Sequence, residues 1–450
     1  MNTDPREIIA RSRMGWLQIV VIAITVGLNS LDGFDVESIS FAAPGIAGQW
    51  HLDNTALGAV LSMELIGMAI GSIFIGNVAD RIGRRPTMLG CLVLMAVGMI
   101  MVTTSSTIES LSAWRVLSGL GIGGMLAAVN ATTAEFSSVK RRNFNVAIMS
   151  IGYPLGAILG GMIVAHLLIA HSWRSIFYLG AAYTAAYIPL VLAFVPESVQ
   201  WLARKQPAGA LERVNRGLAR MGHAAVTVLP NLAEDLRQRR FTELFTPTLI
   251  GVTVLVTIAY FFHIMTFYFI LKWIPDLVSK MGFSPSSAST VLVWTNVGGA
   301  TGGLVLGLLC LKWSLKPITI TVMVLSAIMV AWFGRSPHNL ESLSLICAGA
   351  GFCTNAAICG MYAIFAQAFP THARAGGTGF AIGVGRGGSV LAPIIAGFLF
   401  DQGISVATVA MYMGLGSLIA AGVLTMLKLR PEEETEGAPA GTVASAPTTL

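Results

Sequence analysis

From Trp16 to Gly48 the chain is uncharged except at three carboxyls, Asp32, Asp35 and Glu37, which fall in the stretch LDGFDVES. A carboxylate in hydrocarbon costs on the order of 2.5 to 3.5 kcal/mol even on lenient insertion scales, so these acids need a reason to be there. Two roles are open to them: carrying protons, and pairing with a buried cation. Two arginines sit in comparable surroundings, Arg115 in RVLSGLGIGG and Arg386 in GVGRGGSVLAPIIAG. An arginine stays ionised at any depth, so each must face an acid, an aqueous cavity or an anion that its planar fork can grip. Glu64 is likewise flanked by apolar residues and is a second candidate proton carrier.

The elements that hold these groups are expected to be membrane helices. Of 450 residues, 54% are hydrophobic and 11% charged, against roughly 25% charged in soluble domains. Apolar stretches long enough to cross a bilayer, about 20 residues each, recur along nearly the whole chain. They predict spans at 16–42, 55–78, 86–104, 111–136, 144–169, 174–196, 247–272, 285–309, 317–334, 342–367, 377–400 and 404–428. The expected organisation is an N-terminal segment 1–15, a six-helix half 16–196, a polar loop 197–246, a second half 247–430 and a disordered tail 431–450. GNVADRIGRRP at 76–86 and GLLCLKWSLKP at 307–317 occupy equivalent places in the two halves, as do Arg141 and Arg374. Two facing six-helix halves are a transporter architecture with its site near midplane.

Helical rise gives the depths. Asp32 lies about 24 Å from a start at Trp16, Asp35 one turn further on the same face, and Glu37 points elsewhere. Gly33 between the acids is a weak point at which backbone could line a cavity. Arg115 is about 6 Å inside its outer end, level with the aspartates, so a resting pair with them is plausible. Arg386 is about 15 Å deep, close to midplane, and Glu64 is near midplane too. The alternative for both arginines is that they pair with acids only to hold helices together. For the aspartates it is a helix end open to the periplasm.

Most of the 28 lysines and arginines fall on the side of the termini, and the outer loops keep only Arg174, Lys272, Lys280 and Arg335. This asymmetry places both termini in the cytoplasm, and no small-residue cleavage site follows the first span. The net charge of +6 is spread in short clusters between apolar segments, which argues against nucleic acid as a partner. Cys91, Cys310, Cys347, Cys353 and Cys359 lack metal or disulfide spacing, and His171 and His263 lack metal-ligand spacing. There is no nucleotide-binding loop, nucleophile elbow or metal motif, so no enzyme activity and no cofactor is expected.

GNVADRIGRR resembles the signature loop of the major facilitator superfamily: an all-α membrane fold of twelve helices in two halves. By that resemblance Gly76, Asp80, Arg81, Gly83, Arg84 and Arg85 form a conformational latch. Gly76 would allow close helix approach, Asp80 would face the start of span eleven at Gly376 and Gly377, and the arginines would stay at the cytoplasmic surface. Glu135 would support the loop arginines. DGFD at 32–35, FYFILKWIP at 267–275 and GVGRGGSVLAPIIAG at 383–397 are similar to the aromatic acid:proton symporter family. The resemblance implies import of a small aromatic acid anion with protons across a bacterial inner membrane. A monomer is expected.

On that reading Arg386 takes the substrate carboxylate, Arg115 assists, and Asp32, Asp35 or Glu64 carries the proton. By its match to the family pattern, Tyr268 would stand beside the substrate ring. Tyr153, Trp294, Asn296, Asn355 and Tyr362 are lesser candidates, and Trp273 would be an interfacial belt residue. PES at 196–198 also occurs in sugar and polyol porters, which remain a competing resemblance. The glycines of GYPLGAILGG at 152–161 suit close helix packing and occur in a related form in antiporters, which leaves drug efflux as a minor alternative. A transporter-like receptor for the same acid is a further alternative from a different class.

Overall fold

A helix satisfies its own backbone within hydrocarbon, and the chain uses that solution throughout. The computed structural model describes residues 4–230, 244–370 and 373–428. The expected tail 431–450, part of the central loop and the side chain of Arg374 lie outside the described residues. After the short α1 (Pro5–Arg11) come α2 (Trp16–Trp50), α3 (Asn54–Ile82), α4 (Arg84–Thr103), α5 (Ile108–Glu135), α6 (Val139–Leu167) and α7 (Arg174–Phe194). Two short helices follow, α8 (Val199–Lys205) and α9 (Ala210–Arg220). The second set is α10 (Ile250–Lys280), α11 (Pro285–Leu309), α12 (Leu315–Phe333), α13 (Leu340–Ala368), α14 (Arg374–Asp401) and α15 (Val406–Met426). Twelve of these helices are long and apolar enough to cross a membrane, so both described ends of the chain lie on one side.

Polar residues close the spans where apolar runs stop. Asp53 caps α3 through the Ala56 N–H at 2.7 Å, and Ser284 and Ser405 cap α11 and α15 in the same way. Several helices run well past the expected spans. α2 continues to Trp50 and α10 to Lys280, with Pro44 and Pro275 carried inside them. Lys272, expected in an outer loop, is therefore two turns inside α10 and fully buried. Trp273 is not an interfacial residue either: it is 0% exposed and meets Phe400 edge-on at 5.0 Å.

Three apolar clusters make the core. One draws on both halves, and its members lie remote from the termini, such as Phe41 and Ile46 of α2, Leu57 of α3, Trp173 at the N-cap of α7, Ile274 of α10, Leu292 of α11 and Ala396 of α14. The other two serve one half each, nearer the termini. Cross-half bonds follow the same division. Asp401 accepts from the Asn54 and Thr55 N–H groups at 3.0 and 2.6 Å, Lys280 reaches the Asn54 side chain, and Ser286 donates to the Ala165 carbonyl at 2.6 Å. The two bundles are thus fastened together at the end opposite the termini.

Candidate functional site

Close backbone approach sets the acid-bearing helix in place. A Cβ on Gly33 would collide with the Tyr153 carbonyl, and Cβ atoms on Gly152, Gly156 and Gly160 would strike Val26, Ser30 and Phe34. Gly33 is therefore a contact point between α2 and α6, and α2 runs through it as an unbroken helix. The expected cavity-lining break does not occur, because the missing side chain is used to admit α6.

Along α2 the acids face different partners. The carboxyls of Asp32 and Asp35 are buried, and among the described residues neither has a hydrogen-bond or ion-pair partner. Asp32 lies in the electrostatic field of Arg386 and Glu64, and Asp35 in that of Glu64 and Arg115. Glu37 points into the other half, where it accepts from Asn296 Nδ2 at 2.7 Å.

Arg115 does not pair with the aspartate side chains. Its guanidinium is in ion contact with Glu64, donates to the Asp35 carbonyl at 3.0 Å and lies 5.4 Å from the Phe177 ring centroid. Sequence reasoning placed Arg115 and the aspartates at one level but could not register α3, which brings Glu64 to the guanidinium first. Lys272 completes this group, 3.8 Å from Glu64 and bonded to the Val36 carbonyl. The missed signal was the apolar sequence Trp273, Ile274, Leu277 and Val278, which continues past the lysine at helical spacing.

Arg386 is different. It is half-buried in α14, and among the described residues its guanidinium has no hydrogen-bond or ion-pair partner. It acts electrostatically on Asp32, Tyr260, Tyr268 and Tyr362. Tyr260 and Tyr362 share a hydroxyl contact at 3.2 Å, and Tyr362 is 46% exposed, which marks an opening beside the arginine. Tyr268 packs against all three apolar clusters, so it stands where the shared cluster divides into the two separate ones. Next to it, Tyr153, Phe267, Leu271, Asn296 and Asn355 line a small cavity between α6, α10, α11 and α13. Asn355 is held by donation to the Gly299 carbonyl at 2.7 Å. Trp294 is 49% exposed and lines a separate groove between α11 and α13, outside this group. His263 is buried between Ser417 and the Thr354 carbonyl, both at 2.9 Å, which is a packing arrangement.

The loop after α3 is organised around Arg84. Arg84 is buried, not at the surface, and binds Asp80 at 2.8 Å and Glu135 at 3.0 Å. Asp80 also binds Arg204 at 3.2 Å, so its described partners are Arg84 and Arg204 and not the start of α14. Gly83, at φ 110°, takes a conformation suited to glycine. A Cβ on Gly76 would meet only Ala127 at 3.6 Å, an ordinary contact, so no tight approach requires glycine there. Arg81 is exposed, and Arg85 donates to the Leu192 carbonyl at 2.6 Å. Glu197 accepts from the Arg84 and Ser198 N–H groups, and burial still holds its carboxyl above the usual range.

Two helical bundles around a charged, tyrosine-lined centre are the architecture of a membrane transporter. The chain belongs to the Major Facilitator Superfamily, whose profile matches residues 25–271 and 256–449. It is a secondary transporter and not an enzyme. It is 28% identical to a gallate transporter of Pseudomonas putida over 409 residues, 90% of each chain. It is 29% identical to the 4-hydroxybenzoate transporter PcaK of Acinetobacter baylyi, covering 87% of this chain and 86% of that one. Among solved structures, the xylose transporter XylE from E. coli in a partially occluded inward open conformation superposes with a TM-score of 0.72 at 18% identity, over 94% of this chain and 99% of that one. The likeness to XylE is one of fold.

Proposed function

We propose that the protein imports an aromatic carboxylate together with protons, in a bacterial inner membrane with both termini cytoplasmic. One observation carries the reading: among the described residues the guanidinium of Arg386 has no hydrogen-bond or ion-pair partner, and neither has the carboxyl of Asp32, which lies in its field, nor that of Asp35. A guanidinium with open donors receives a carboxylate in a two-point fork. A buried carboxyl with no partner costs least when neutral, so protonation of Asp32 or Asp35 accompanies closure of the site. Tyr268 supplies a ring face in the field of the arginine, and Tyr153 and Asn355 supply a ring and a polar edge on the small cavity between α6, α10, α11 and α13. The two named relatives, transporters of gallate and 4-hydroxybenzoate, support the cargo class.

The test is uptake by purified protein in liposomes under an imposed inside-alkaline gradient, with labelled 4-hydroxybenzoate, gallate and xylose offered in parallel. Accumulation of an aromatic acid, but not xylose, that collapses when the gradient is dissipated is the expected result. Xylose accumulation would move the assignment to a sugar porter. Saturable binding of the acid without accumulation would make the protein a receptor.

A further inference from the structure

Glu64 has two cations on it, and they belong to different halves. Arg115 reaches it from α5, within the N-terminal half, and Lys272 reaches it from α10, across the seam. All three side chains are fully buried. Lys272 also donates to the Val36 carbonyl of α2, so one ammonium group ties α10 to both α2 and α3. The other charged groups that act on it, among the described residues, are Arg115 and Glu37, the latter held by Asn296.

The geometry points to Lys272 as a reversible lock between the halves, a positioning residue that holds the end opposite the termini closed. A buried ion pair returns little beyond its desolvation cost, so it parts readily, whereas taking Lys272 out of the closed seam leaves the buried Glu37 and Glu64 facing Arg115 alone. This balance suits a seam that must part. When α10 leaves α2 and α3, Glu64 keeps Arg115 and is never a lone charge, while the Lys272 ammonium meets the water entering the gap. The pair therefore exists only in the closed arrangement, alongside the Asp401 and Lys280 contacts to Asn54. This inference rests on the chain being a secondary transporter and not on its cargo, so its test reads distance and not uptake.

Paired spin labels at His171→Cys and His338→Cys, exposed positions beyond the remote ends of the two halves, report the gap in full-length protein. The five native cysteines are replaced by alanine beforehand. Lys272→Met is expected to shift the ratio of open to closed distances about tenfold toward open, and Lys272→Arg to leave it near the native value. Lys272→Gln, which can still donate to the Val36 carbonyl but carries no charge, is expected to open like Met and serves if Met does not yield folded protein. A distance distribution in Met or Gln equal to the native one would overturn the proposal, as would Arg opening as far as Met.

Discussion

At the scale of single residues, the acids divide by what already occupies them. Glu64 is neutralised by Arg115 and Lys272, and Glu37 is held by Asn296, whereas the buried carboxyls of Asp32 and Asp35 have no partner among the described residues. Proton carriage needs a carboxyl whose charge state can change without breaking an ion pair, which assigns it to the two aspartates on the proposed reading. Asp32→Asn and Asp35→Asn should each abolish uphill accumulation while leaving membrane insertion and downhill exchange, measured by counterflow, in place. Arg386→Lys keeps the charge and removes the fork. The loss of one charge-assisted hydrogen bond, about 1.5 to 3 kcal/mol, should raise the KM roughly 10- to 100-fold with little change in expression. Unchanged KM would remove Arg386 from carboxylate recognition. The sequence made Arg386 and the DGFD acids visible because charge in an apolar run is conspicuous. It left Lys272 out because a charge near the end of a run is equally a boundary signal, and only the packing of α10 on α2 and α3 shows the helix continuing past it.

At the scale of elements, hydropathy made the spans legible and left their ends and mutual register undetermined. A span shows itself by composition, but helix length beyond the membrane depends on caps and on what the last turns meet, as at Trp50 of α2 and Lys280 of α10. The glycine spacing in α6 announced a close contact but not its partner, which is α2 itself. That seam carries a prediction. Ser30, Phe34 and the Tyr153 carbonyl leave no room for a side chain on Gly156, Gly160 or Gly33, and backbone cannot yield as a flexible side chain does. Gly156→Ala should destabilise the purified protein by roughly 1 to 3 kcal/mol, the usual range for overpacking, seen as a lower thermal midpoint in detergent. Gly90→Ala in α4 and Gly307→Ala in α11, where nothing stands within 4 Å, should be neutral or mildly stabilising controls. Equal midpoints for all three would mean that α2 and α6 are not in contact at those glycines.

At the scale of the whole molecule, the buried centre sets a charge balance that both halves share. The carboxyls of Asp32, Asp35, Glu37 and Glu64 face the cations Arg115, Lys272 and Arg386, so full ionisation leaves one negative charge in excess. A low-dielectric centre resists net charge, which calls for one proton on the acids when the site is empty. On the proposed reading, an arriving substrate carboxylate adds one more negative charge and calls for one more proton. The loaded and empty centres then carry the same net charge, and the cycle moves none across the bilayer. Uptake into liposomes should accordingly follow an imposed pH difference and ignore a potassium diffusion potential of about 100 mV set at equal pH. A cycle that moved one net charge would instead gain about 2.3 kcal/mol from that potential, roughly a 50-fold change in the accumulation ratio. Accumulation that tracks the potential on that scale would mean that more than one proton accompanies each anion, and that the excess charge is tolerated where the balance of side chains forbids it.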